Sequence, residues 1–188
     1  MTLSGAHVRL EPLSLAHVPD LARVGLEPEL WRLQPAPVST VEDMLRYVEK
    51  ALEDQRRGVS LPFAIVDLAT GQVIGSTRYM DIAPEHRRLE IGSTWLTSAF
   101  QRTRANTEAK LLLLTHAFET IGVIRVVLKT ETLNEQSRRA IERLGAVEEG
   151  TFRKHLSAES GRPRDMVYYA ILAEEWPAVK ERLTSRLR

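Results

Sequence analysis

Apolar and polar positions alternate from His7 to Glu11, which predicts a short strand that Pro12 stops. Leu15 to Leu26 and Val41 to Arg57 instead carry apolar residues at helical spacing. Ser39 or Thr40 is placed to cap the second helix, with Glu42 and Asp43 near its positive end. The Pro-interrupted stretch Pro28 to Val38 between them, with Trp31, reads as a loop. The period then shortens. Phe63 to Asp67 and Val73 to Met80 read as a hairpin around Ala69 to Gln72, and Leu89 to Leu96 as a third strand. Helical spacing returns over Thr107 to Ile121, closed by Gly122, followed by the β-branched run Val123 to Lys129. Asn134 to Leu144 is a further helix, closed by Gly145. Val147 to Arg153 and Met166 to Leu172 form a strand pair around the loop Ala158 to Pro163. Glu174 to Leu187 is a terminal helix with Pro177 in its first turn. Hairpins followed by a strand–helix–strand–helix run predict an α/β fold: a mixed, mostly antiparallel sheet with helices on both faces.

No repeat, low-complexity tract or Gly/Ser linker interrupts the 188 residues, so residues 1–188 read as a single domain. Composition narrows the function classes. The 26 Lys and Arg nearly balance 25 Asp and Glu, which argues against a partner bound through phosphate neutralisation, and no nucleic acid is expected. Without cysteine there is no disulfide, thiolate metal site or cysteine nucleophile. The five histidines show no metal-ligand spacing, so no metal is expected. The longest apolar block, Leu111 to Leu114, falls far short of the roughly 18 residues of a span. Residues 1–5 show no leader pattern, so the expectation is a cytoplasmic protein with no membrane partner.

The chemistry concentrates in the strand Leu89 to Leu96, the loop Thr97 to Asn106 and the helix from Thr107. A helix entered from a strand offers unpaired N–H groups, and its dipole favours an anion there. Gln101-Arg102-Thr103-Arg104-Ala105-Asn106 puts two cations at that entrance, the makings of a pyrophosphate cradle or, more plainly, an exposed charged turn. Glu90 alternates with Gly92 and Thr94 and is expected on the same strand face. Glycine inside a strand suits a bulge or a close backbone approach.

These segments resemble the GNAT acetyltransferase superfamily, and within it the RimJ/RimL-type branch. The likeness rests on Glu90-Ile-Gly92, Trp95-Leu96, Gln101 to Lys110, Asn134 to Ala146, Glu148-Glu-Gly150, Arg164-Asp165 and Glu175-Trp176, in that order along almost the whole chain. The resemblance implies a GNAT fold whose sheet splays at Gly92, and an acetyl-CoA-dependent N-acetyltransferase acting by direct attack of a primary amine in a ternary complex. The implied acceptor is a protein N-terminus or a small-molecule amine; a homodimer is left open. Implied contacts to acetyl-CoA come from Thr94, Trp95 and Leu96 through the strand backbone, from Gln101, Arg102, Thr103, Arg104, Ala105 and Asn106 at the phosphates, and from Asn134 at the pantetheine arm.

One departure stands out. Glycines usual in the family's phosphate loop are replaced by Arg104 and Asn106, where a positive φ would strain Arg104. The expectation is a reshaped loop in which Arg102 or Arg104 lends charge to phosphate. Glu90 is the candidate general base, or else a structural carboxylate held by a loop N–H, Arg78 or Arg88. Ser137 is the candidate acid for the departing thiolate, or a small residue permitting close packing. Asn134 also fits a plain N-cap. Trp31, Met80 and Tyr168 are candidates for an apolar acceptor wall or for core. Two rivals remain: a non-catalytic acyl-CoA-binding or sensing module, and a phosphate or nucleotide binder using the same helix entrance.

Overall fold

The alternating and β-branched runs all become strands of one sheet in the computed structural model, which describes residues 1–188. The strands are β1 (Leu3–Ser4), β2 (Val8–Pro12), β3 (Leu61–Asp67), β4 (Val73–Ala83), β5 (Arg88–Leu96), β6 (Arg125–Glu131), β7 (Val147–Ser157) and β8 (Pro163–Leu172), in the spatial order β1-β2-β3-β4-β5-β6-β8-β7. Only β5 and β6 run parallel; the other neighbouring pairs are antiparallel. The helices are α1 (Val18–Gly25), α2 (Pro28–Trp31), α3 (Val41–Arg56), α4 (Arg104–Thr115), α5 (Glu135–Leu144) and α6 (Trp176–Ser185). No helix is long and apolar enough to cross a membrane.

Apolar periodicity sorts the helices between the two faces. Ala109, Leu113 and Leu114 of α4, Ile141 and Leu144 of α5, and Val179 and Leu183 of α6 pack on Phe63, Tyr79, Ile91, Val126 and Tyr169. Leu21 of α1 and Met44 and Val48 of α3 pack with Trp31 on Ala64, Val66, Val73 and Trp95. Thr40 caps α3 reciprocally with Asp43, as the sequence suggests.

Two elements differ from expectation in a way that shapes the site. The helix expected from Thr107 begins at Arg104, because the Thr103 hydroxyl accepts from the Ala105 N–H and caps it there. The strand pair expected to end at Arg153 and begin at Met166 extends to Ser157 and Pro163. β1 and the four-residue α2, which includes Trp31, also lie where only irregular chain is expected.

Candidate active site

β5 and β6 are paired over only three residues, Arg88 with Arg125, Leu89 with Val126 and Glu90 with Val127. Beyond Glu90 the β6-facing edge of β5 has no strand partner. The cause is local to β5. Its register against β4 jumps from Arg78–Gly92 to Ser76–Trp95, so β5 carries one extra residue, and Ser93 takes φ 44°. A bulge of this kind bends a strand and inverts its alternation.

That inversion corrects the expected face of Thr94. Glu90 points toward Lys129 of β6, whose Nζ lies 2.7 Å from Oε2. Thr94 points through the opposite face to α4, where its hydroxyl accepts from Lys110 Nζ at 2.6 Å and lies 2.7 Å from the Thr77 hydroxyl. Glu90 and Thr94 therefore do not share a face. Trp95 is core, 5.5 Å from the Trp31 ring, and leaves only its backbone at the open edge. The Leu96 side chain is buried, while its carbonyl accepts from Gln101 Nε2 at 3.2 Å.

The loop leading into α4 is reshaped differently from expectation. The left-handed residue is Arg102, with φ 60°, whereas Arg104 and Asn106 occupy the first helical turn, where glycine has no advantage. The Arg104 guanidinium donates to the Arg188 carbonyl at 3.2 Å rather than facing the helix mouth. Ala105 is buried, and its N–H is used by the Thr103 cap. The N–H groups of Arg102, Thr103, Arg104 and Asn106 donate to nothing in the chain. Asn106 Oδ1 is buried with no partner. These are the features a bound diphosphate and its linker would satisfy.

α5 closes the other side of the cleft. Asn134 caps it, Oδ1 accepting from the Ser137 N–H at 3.0 Å, and Ser137 is half-buried one turn on. Gln136 Nε2 donates to Gln101 Oε1 at 3.0 Å, so the loop leading into α4 and the first turn of α5 meet at one end of the opening. Ser137 and Glu90 make no contact with each other.

Glu90 is 3% exposed. Burial pushes its carboxyl up to about 7, with the Lys129 ammonium pulling the other way and Asp81 adding to the rise. Burial presses Lys129 downward, yet the adjoining Glu90 outweighs it, so this amine is held above its usual range. Glu90 thus titrates near neutrality beside a lysine that stays protonated. Its partner is Lys129, not Arg78 or Arg88 as expected. Met80 stands beside it: a Cβ on Gly92 would meet Glu90 Oε1 at 2.7 Å and Met80 Sδ at 2.9 Å. Further out, Lys129 Nζ lies 5.7 Å from the Tyr168 ring, which borders a cavity of about 340 Å³ with Phe152 and His155. Trp31 packs with Tyr47 and Trp95 and belongs to the core, so the three candidates form no common wall.

Sequence reasoning passed over three charged groups. Lys129 is brought to Glu90 by parallel pairing across the whole of α4, which no local pattern reveals. Lys110 is legible in retrospect, since it shares its helix stripe with Leu113, Leu114 and Ala117. Glu108, also on α4, accepts from the N–H groups of Ala6, His7 and Val8 at 2.6–2.8 Å and ties the start of β2 to the helix.

The model of the acetyltransferase (GNAT) domain family matches residues 7–147. A Bacillus subtilis (strain 168) protein provisionally named ribosomal N-acetyltransferase YdaF is 34% identical over 113 residues, 60% of this chain and 61% of that protein's length. The match thus spans about three-fifths of that relative. A crystal structure from T. thermophilus, provisionally titled an acetyltransferase, is 41% identical with a TM-score of 0.91, covering 100% of this chain and 97% of that one. Mycobacterium smegmatis RimJ, solved in complex with CoA-disulfide, shares the fold with a TM-score of 0.83 at 24% identity, covering 100% and 95% of the two chains.

Proposed function

Because the chain belongs to the acetyltransferase (GNAT) domain family, we propose that it is an acetyl-CoA-dependent N-acetyltransferase. In this reading an acetyl group passes directly to a primary amine within a ternary complex, and the amine belongs to a protein N-terminus or a small molecule. The observation that carries the reading is the open edge of β5 between Ile91 and Leu96, which leads from the unpaired N–H groups of α4 to the buried Glu90 carboxyl.

The residues divide the work by position. The α4 mouth binds diphosphate through the N–H groups of Arg102, Thr103, Arg104 and Asn106, with the exposed Arg102 side chain free to add charge. The open edge of β5 offers backbone groups to the pantetheine arm, and Asn134 bounds that arm from α5. When bound, acetyl-CoA supplies the thioester carbonyl that the amine attacks. A primary amine with a pKa of about 10.4 must first lose a proton. Glu90 takes it, directly or through a water, because a carboxyl raised to about 7 is ionised in good part near neutrality while remaining basic enough to accept. Lys129 stays protonated and its charge favours the ionised form of Glu90, which passes the accepted proton on to solvent. Backbone N–H groups exposed by the bulge near Thr94 face the developing oxyanion. The Ser137 hydroxyl protonates the departing thiolate as it takes a proton from solvent in turn. The substitution of the usual glycines is no ground for lost cofactor binding, since both positions are helical here.

Equilibrium binding of CoA, followed by thiol release with a panel of primary amines, tests the reading. CoA binding and release with at least one amine are expected. Glu90→Gln should lower kcat by about 10²-fold at neutral pH and leave CoA affinity unchanged. Equal turnover of the two proteins from pH 6 to 9 would remove Glu90 from the role of base.

A further inference from the structure

Six charged residues are buried: Arg78, Glu90, Glu108, Lys110, Glu131 and Arg164. Five have polar partners. Glu90 faces Lys129, Glu108 accepts three backbone N–H groups, Lys110 donates to Thr94, and Glu131 and Arg164 bond to each other. Arg78 is the exception. It is 6% exposed, its Nε is buried without a hydrogen-bond partner, and no carboxylate stands within ion-pair distance of it. Its one compensation is the Tyr47 ring, 4.9 Å from the guanidinium carbon. A ring covers one flat side of a guanidinium and leaves the N–H fork, which matches a planar anion, unused.

The position of Arg78 says where that anion would lie. Arg78 is opposite Gly92 across β4 and β5, on the sheet face of α3, as the Tyr47 contact shows. Diphosphate would sit at the α4 mouth, beyond the other face, so it does not answer this charge. Gly92 has no side chain, which lets Glu90 Oε1 and Met80 Sδ close on the strand opposite Arg78. Tyr47 is fixed in place by Trp31, 5.4 Å from its ring, and its hydroxyl donates to the Ser93 carbonyl at the bulge. Arg78 and Glu90 thus stand diagonally on one face of neighbouring strands, Arg78 opposite Gly92 and Glu90 opposite Met80, roughly 7–8 Å apart along the backbone. An acceptor that brings its amine to Glu90 places an anionic group a few bonds away against Arg78.

We propose that Arg78 is the acceptor's carboxylate anchor, so that the site selects primary amines bearing a carboxylate a few bonds from the nitrogen. This rests on the amine-acetylating reading above. Two sources present such a pair, a free amino acid and a polypeptide whose first residue is acidic.

Thiol release with matched acceptor pairs tests it: an amino acid against its amide, and a peptide beginning with Asp against one beginning with Asn. In the wild-type protein the carboxylate member of at least one pair should have a kcat/KM higher by about tenfold or more. Arg78→Met should bring that ratio close to one, chiefly through KM, and Arg78→Lys should keep part of it, with CoA affinity unaltered in both. The pair that shows the preference names the source. Ratios near one for both pairs in the wild type, or a preference that survives in Arg78→Met, would overturn the anchor while leaving amine acetylation standing. If Arg78→Met fails to fold, the wild-type ratios and Arg78→Lys decide. If no amine is acetylated, the catalytic reading falls and the anchor is judged by equilibrium binding of an N-acetyl amino acid against its amide. Selective binding of the acid, weakened in Arg78→Lys, upholds it, and equal binding overturns it.

Discussion

Lys129 and Glu131 stand two residues apart on β6 and so on one face, and each marks a buried carboxylate held in an opposite way. Glu131, 1% exposed, meets two guanidinium groups, Arg162 and Arg164, with Arg164 Nε at 2.8 Å. These donors, Arg162 foremost, hold its carboxyl below the usual range despite burial. Glu90 meets a single ammonium, has Asp81 nearby, and is pushed up to about 7 chiefly by burial. Burial alone therefore does not make a carboxylate reactive. What differs is the number of fixed donors: two planar forks make a permanent anion, and one flexible ammonium leaves a group able to exchange a proton.

The clearest way to break this contrast is at the pinned end. Arg164 also donates to the Leu33 carbonyl at 2.9 Å, and the Glu159 N–H donates to the Pro35 carbonyl at 2.8 Å, so Glu131 fastens the β7–β8 turn to the chain between α2 and α3. Glu131→Gln strands a buried guanidinium and should cost about 3–5 kcal/mol in denaturant unfolding at pH 7. The sign with pH follows from the lowered value. Glu131 contributes stability above its unfolded value of 4.5 and loses it as pH falls through its folded value, so the deficit of the variant should shrink in acid. A variant as stable as the parent at pH 7 would mean that the pin holds nothing.

Lys110 sharpens the contrast with a buried charge that has no counter-ion at all. It is 6% exposed, and burial pushes its ammonium down to about 7. A depressed value means that Lys110 contributes stability above its unfolded value of 10.5, lost as pH falls toward and through about 7. Lys110→Met should therefore stabilise the fold by about 2 kcal/mol or more below pH 7, and by less at pH 9. Thr94 keeps its bond to Thr77 in that variant. Destabilisation that is equal at pH 6 and pH 9 would show that the lysine is held by packing rather than tolerated at the expense of its charge.

The fold was legible because period and punctuation agree: nearly every helix and strand falls on the segment whose apolar spacing predicts it, and Gly122, after the π-helical turn His116–Ile121 that continues α4, and Gly145, after α5, end their helices in left-handed conformations. Less of the site was legible. Gly92 announced the bulge, but the single extra residue inverted the alternation after it, sending Thr94 to α4 and away from Glu90. The glycine-less loop suggested strain at Arg104, whereas the Thr103 cap started the helix three residues early and moved the left-handed turn to Arg102. Arg78 was visible only as a partner for Glu90; that it has no partner is a property of the packed interior, which no linear pattern encodes.

The smallest effect concerns Asn134, where a stabilising and a functional role overlap. Its Oδ1 caps α5 by accepting from the Ser137 N–H. Asn134→Ala should cost about 1 kcal/mol of stability from the lost cap alone. Asn134→Asp keeps the acceptor at the cap but replaces the amide N–H₂ with an anion. If Asn134 serves the pantetheine arm through its amide, both variants weaken CoA binding, and Asp does so with its stability preserved. If it serves only the helix, Asp restores both stability and affinity. Because the arm would run between the open edge of β5 and this first turn of α5, loss of CoA affinity in Asn134→Asp would place the cofactor on the α5 side of the cleft, independently of the charge at Glu90.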